Sequence, residues 1–181
     1  MENGSLARRY ARALTLLVKE EGTLESSVQE IQKLASIFHS HQELLKTLGE
    51  SAYPLAERQA LLGEIADRLA LSVPVRHFMF LLLDKNRIFA FHEIEREIER
   101  LQDEILGIVR VEVTSPSPLS KDFLKRAEQF VAQKTKKKPI FQEKIDPSLI
   151  GGVVLRQGGI LYDGSVRTEI RKLKDELMGS H

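Results

Sequence analysis

The sequence predicts an α+β chain of two domains, an N-terminal six-helix bundle over residues 1–106 and a small C-terminal α/β domain over residues 107–181. Three observations predict it. From residue 5 to about residue 106 the apolar residues recur at helical spacing. After Gly107 the period becomes two, with Val109, Val111 and Val113 alternating with Arg110 and Glu112. Within the helical stretch lies the longest apolar run, Phe78-Met-Phe-Leu-Leu-Leu83. A helix that is apolar nearly all round is buried on several sides, so this run marks the centre of the bundle.

The elements follow in order. Ser5 is a candidate N-cap and Gly22 a stop for a first helix, with Leu6, Tyr10, Ala13 and Leu17 on one apolar row. Thr23 is a candidate cap for a second, with Leu24, Val28, Ile31, Ala35 and Phe38. A short helix near residues 43–48 and a turn at residues 51–54 lead to a fourth over residues 55–69, with Leu61, Leu62, Ile65 and Leu69 inside. Pro74 opens the fifth helix through Asp84, where a missing N–H costs no hydrogen bond. The sixth carries Phe91, Ile94, Ile98, Leu101 and Ile105 on one face.

Beyond the strand at residues 109–113, Ser115-Pro-Ser-Pro118 ends pairing, since proline has no ladder donor. Ser120 caps a helix with Phe123, Leu124, Ala127, Phe130 and Val131. Residues 140–145 and 152–157 read as strands, and Gly158-Gly159 as a hairpin turn into residues 160–162. Asp163 or Ser165 caps a last helix whose apolar stripe is Val166, Ile170, Leu173 and Leu177.

Composition limits the function. With 42% hydrophobic and 29% charged residues the chain belongs to the folded globular class. A net charge of +1 gives no global field toward nucleic acid or acidic lipid. There is no cysteine, so thiolate chemistry and disulfides are excluded. No apolar run approaches the roughly 20 residues that cross a bilayer. The start lacks the apolar core of a secretory signal, and Glu2, Glu20 and Glu21 speak against a transit peptide.

No catalytic residue, metal site or cofactor is expected. Gly151-Gly152 and Gly158-Gly159 suggest a phosphate loop, but a strand follows the first pair and no Gly-Lys-Ser/Thr is present. Turn chemistry is the plainer reading. Lys134 to Lys138 form a basic cluster, the basis of an alternative in which the chain is an RNA-binding module. The aromatics near it, Phe130 and Phe141, fit the core pattern instead, and cations suit a helix C-terminus. His39 and His41 are two apart and diverge on a helix, unlike an i, i+4 metal pair.

The first helix has a second apolar row, Ala7, Ala11, Leu14 and Val18. One row faces the core. The other marks either a groove for an amphipathic partner helix or a helix packed between two others.

Several segments, taken in order, carry a resemblance. They are Ala7-Arg-Arg-Tyr-Ala-Arg-Ala-Leu14, Leu83-Asp-Lys-Asn-Arg-Ile-Phe89 and Val111-Glu-Val-Thr-Ser-Pro-Ser-Pro-Leu-Ser120. Most specific are Asp146-Pro-Ser-Leu-Ile-Gly-Gly-Val-Val-Leu-Arg-Gln-Gly158 and Tyr162-Asp-Gly-Ser-Val-Arg167. Together they resemble the delta-subunit family of rotary F-type ATP synthases, whose mitochondrial counterpart is the oligomycin-sensitivity-conferring protein. Pro147 and the double Gly158-Gly159 depart from the family's usual pattern.

The resemblance implies a non-catalytic stator subunit of a proton-translocating enzyme. It implies a six-helix bundle that takes an amphipathic N-terminal helix of the alpha subunit between its first and fifth helices. Tyr10, Ala13, Leu14, Leu81, Leu82 and Arg87 are then the partner-binding candidates. It implies a C-terminal domain that joins the C-terminal ends of the b subunits. Asp146, Gly151, Gly152, Gly158, Asp163, Gly164 and Ser165 are then structural motif residues. A bacterial source and a peripheral place on the cytoplasmic face of the cell membrane follow as expectations.

Overall fold

The computed structural model describes residues 2–178, with side chains for residues 4–175. It is an α+β chain of eight α-helices and one four-stranded sheet among the described residues. Two compact units divide between Asp103 and Glu104, inside the last turn of a helix.

The first unit is helical: α1 (Glu2–Glu20), α2 (Leu24–Ser40), α3 (Gln42–Gly49), α4 (Leu55–Arg68), α5 (Val73–Asp84), a 3-10 turn (Ile88–Ala90) and α6 (Phe91–Ile105). α1 begins upstream of Ser5, because neither Gly4 nor Ser5 bars helical dihedrals. α5 packs on α1, α2, α4 and the 3-10 turn, and buries Val75, Phe78, Met79, Leu82 and Leu83. Its N-terminus is capped from another helix. The Glu30 carboxylate of α2 accepts from Ser72 N and Ser72 Oγ, both at 2.8 Å. An acidic group at a helix N-terminus also suits the dipole. α6 joins the same core through Phe91, Ile94 and Ile98, with Phe91 edge-on to Phe38 at 5.1 Å.

Three of these helices stop in the same way. In each, the residue after the cap is left-handed: Gly22 at φ 70°, Ala70 at 48° and Asn86 at 52°. The next residue donates back to the third-last carbonyl, Thr23 to Val18 and Arg87 to Leu82 at 2.8 Å, Leu71 to Ala66 at 3.0 Å. That closes the orphan carbonyls and turns the chain sharply. Thr23 gives α2 no side-chain cap. Its hydroxyl turns back to Val18 O at 3.4 Å, so the residue serves the end of α1 instead.

Arg58 is buried at 5% exposure. Its guanidinium donates to Tyr53 O at 3.1 Å, Leu48 O at 3.2 Å and Asn86 Oδ1 at 3.3 Å. One cation thus ties the end of α3, the turn before α4 and the residue that ends α5.

The second unit contains β1 (Ile108–Ser115), α7 (Lys121–Thr135), β2 (Lys138–Ile145), β3 (Gly152–Gln157), β4 (Ile160–Ser165) and α8 (Val166–Met178). The sheet order is β2-β1-β3-β4, with β1 parallel to β2 across α7 and antiparallel to β3. The registers Val111↔Phe141, Val113↔Leu155 and Leu155↔Tyr162 put these residues on one face. Val111, Val113 and Val131 of α7 make the core there, with Phe123, Phe141 and Leu155 against it. Ser120 caps α7 by accepting from Phe123 N at 3.2 Å.

One core expectation fails, and one open reading is narrowed. Phe130 is 46% exposed, because α7 turns Ala127 and Val131 inward and leaves Phe130 on its flank. Ile170 and Leu173 of α8 are each 57% exposed and Val166 is 39% exposed, so this stripe is surface. The Leu177 side chain lies outside the described residues.

Candidate functional site

The two apolar rows of α1 separate cleanly. Ala7, Ala11, Leu14 and Val18 are buried in the core. The other row is more open: Leu6 is half-buried, Tyr10 is half-buried and packed against that core, Ala13 is exposed, and Leu17 is 46% exposed. Leu16 beside it is 49% exposed. Along α5, Leu81 is 44% exposed, while Phe78 beneath it is buried.

Tyr10 joins the two helices. Its ring meets Phe78 edge-on at 6.4 Å between centroids. Arg87, just past α5, donates to the Tyr10 hydroxyl at 3.2 Å, with its Cζ 5.6 Å from the ring centroid. Both helices therefore keep apolar side chains open to solvent, Ala13 and Leu17 on α1 and Leu81 on α5.

The structure moves two candidates off this surface. Leu14 is 4% exposed and Leu82 fully buried, so both belong to the core and neither is open to a partner. Leu14 falls on the Ala7–Ala11–Val18 row, and Leu82 lies beside Met79 and Leu83 on the inner side of α5.

Sequence reasoning missed Arg58 and Glu30. A weak signal existed for the first: Arg58, Leu62 and Ala66 share an i, i+4 row of α4, and all three are buried. Arg58 braces Asn86, and the next residue is Arg87, which holds the Tyr10 hydroxyl.

The glycine-rich C-terminal motif folds into tight strand geometry. Gly152 has φ 82° and pairs with Ser165 across β3 and β4. A Cβ there would sit 2.2 Å from Gly164 O, which is backbone and cannot yield. Gly151 O accepts from Val166 N at 3.0 Å, and Gly158, at φ 56°, turns β3 into β4. No helix opens from either glycine pair, so neither has the form of a phosphate loop.

The acidic members of the motif are turn-formers. Asp146 Oδ1 accepts from Ser148 N at 2.9 Å, and that residue's hydrogen bonds hold its carboxyl below the usual range. Asp163 accepts from Ser165 N at 2.9 Å and Thr168 Oγ1 at 2.7 Å. Hydrogen bonds from Ser165 first, then Thr168, lower its pKa to about 2. Ser165 Oγ accepts from Thr168 N at 3.3 Å and is the N-cap of α8, while Asp163 braces that cap.

Around the basic cluster, the Lys134 ammonium lies over the rings of Phe130 at 4.9 Å and Tyr162 at 5.3 Å. One lysine therefore engages both rings. No helix among the described residues is long and apolar enough to cross a membrane.

Comparison with known proteins gives a consistent result. The family model described as "ATP synthase delta (OSCP) subunit" matches residues 6–177. A protein named ATP synthase subunit delta from Trichlorobacter lovleyi is 35% identical over 177 residues, covering 98% of each chain. One from Desulfatibacillum aliphaticivorans is 33% identical, covering 99% of this chain and 98% of its own. One from Myxococcus xanthus is 33% identical over 179 residues, covering 98% of both. Among solved structures, a chain of the Toxoplasma gondii mitochondrial ATP synthase hexamer shares the fold, with a TM-score of 0.67 at 14% identity over 96% of this chain and 97% of that one. On the family model and these relatives, the chain belongs to the ATP synthase delta (OSCP) subunit family.

Proposed function

We propose that the chain is a non-catalytic stator subunit of an F-type ATP synthase, part of the peripheral stalk that stops the catalytic head from turning with the rotor. The observation that carries this is family membership over residues 6–177. The torque that drives catalysis acts back on the head. A tether that resists it needs firm contacts and no reacting group.

In the finer reading, residues 1–106 form a six-helix bundle that receives the amphipathic N-terminal helix of an alpha subunit. The open apolar strip of Ala13, Leu17 and Leu81, with Tyr10 between the helices, supports that reading. Burial there contributes about 25 cal/mol per Å2 of apolar surface. Residues 107–181 meet the C-terminal ends of the b subunits, and the exposed row Val166, Ile170 and Leu173 supports a docking role for that unit. The chain then sits peripherally on the cytoplasmic face of a bacterial membrane.

The test is a titration with a peptide of the alpha-subunit N-terminal helix. Tyr10→Asp and Ala13→Asp are expected to weaken binding by roughly tenfold or more, about 1.4 kcal/mol, with an unchanged circular dichroism spectrum. Unchanged affinity in both variants would remove this surface from the mechanism.

A further inference from the structure

We infer that the cavity beside Arg58, where α3 meets the start of α4, is an anion site that takes one carboxylate carried on a small apolar body.

A guanidinium has five N–H donors. Three of those on Arg58 are used, Nε on Tyr53 O and Nη1 on Leu48 O and Asn86 Oδ1. The two on Nη2 have no acceptor among the described residues. Thr15 Oγ1 is the one fully buried side-chain polar atom without a partner among those residues, so Nη2 is not sealed in the core. Arg58 lines a cavity of about 240 Å3 together with Thr47, Tyr53, Glu57 and Leu61, and Nη2 keeps its access there.

Charge leads to the same place. Arg58 is 5% exposed, and its three partners are all neutral carbonyl oxygens. They satisfy hydrogen bonds but cancel no charge. No described carboxylate lies within ion-pair distance of it. Water can hydrate the two free N–H groups, but only an anion supplies the missing counter-charge, and a cation drawn out of water gains more from one than a surface cation does.

Size and walls narrow the ligand. Pockets for drug-sized molecules start at roughly 300 Å3, so this one suits something smaller. Leu61 and the Tyr53 ring give it apolar walls. Glu57 lines it too, exposed and with no described partner, and repels a second negative charge. A monocarboxylate with a short aliphatic chain meets all three conditions. A phosphate dianion leaves the apolar walls bare and faces Glu57 with excess charge.

The experiment titrates the full chain with pentanoate, with its neutral counterpart pentanamide and with inorganic phosphate, and reads the Arg58 side-chain N–H signals by NMR. Pentanoate is expected to saturate them with a Kd of about a millimolar or weaker, the scale for so small a ligand. Pentanamide and phosphate should each bind about tenfold more weakly or worse. Glu57→Gln, at an exposed position, should tighten pentanoate by about two- to threefold, a gain that damage to the fold does not produce. The same carboxylate can arrive on a free acid or at the end of a peptide, so N-acetyl-glycyl-leucine and its amide are titrated alongside, and the tighter of the two carboxylates names the source. Equal shifts with pentanoate and pentanamide, no saturable shift with either carboxylate, or phosphate binding as tightly as pentanoate would each overturn the proposal.

Discussion

The two units spend their apolar residues differently. The largest fully buried side chains, among them Phe38, Phe91, Met79, Leu82 and Ile98, all belong to the helical unit. The second unit buries Val111, Val113 and Val131, and leaves Ile145, Ile150, Ile160, Leu161, Ile170 and Leu173 more than half exposed. The first is held by packing. The second is held by strand pairing, a close glycine contact and short polar turns. Its uncovered apolar surface belongs to a protein that works in an assembly.

The largest expected effect attacks packing. Phe91→Ala removes a fully buried ring against Phe38 and should cost about 3–5 kcal/mol. Amide exchange should rise through α1–α6 while β1–β4 keep their protection. Equal loss in both units would break the contrast.

Next comes backbone geometry. Gly152→Ala places a side chain in the left-handed region at φ 82°, roughly 1–3 kcal/mol for conformation alone, and drives its Cβ against Gly164 O. Exchange at β3 and β4 should rise first, with the helical unit unaffected. A neutral substitution would mean that this pairing is not what holds the second unit.

The smallest effect is a matter of pH. The folded pKa of Asp163 is depressed to about 2, below its ordinary value near 3.9. Its contribution is therefore fully present above about pH 4 and is lost as pH falls toward 2. Thr168→Val removes one donor and should shift that loss to higher pH, read from the Asp163 carboxyl carbon by NMR. An unmoved titration curve would show that the Thr168 hydroxyl contributes nothing to the turn.

Much of the fold was legible, for identifiable reasons. Period two at Val109, Val111 and Val113 marked β1, and the left-handed stop at Gly22 is written in its residue type. Ala70 carries the same backbone duty with no such mark. Helical spacing gave the α1 rows but not which one faces inward, because both are apolar. Tertiary packing decides that, and it took Leu14 and Leu82 out of reach. Phe130 misled, and the α8 stripe stayed ambiguous, because apolar periodicity reports what a helix could bury, not what covers it. Arg58 was invisible because a charged residue is read as surface until three acceptors are found around it.

The strand order has a consequence for biosynthesis. β1 is an inner strand whose two neighbours, β2 and β3, both come later in the chain. While the ribosome extends the polypeptide, the helical unit holds its whole core once Ile98 has emerged. β1 emerges next with both edges unpaired, until α7, β2 and β3 have been made. Such a strand is the segment most prone to pair with another chain. Nascent chains released between Ser115 and Gly152 should therefore carry a folded head and a sticky tail, and the quality of expression should depend on how fast the last third of the message is read.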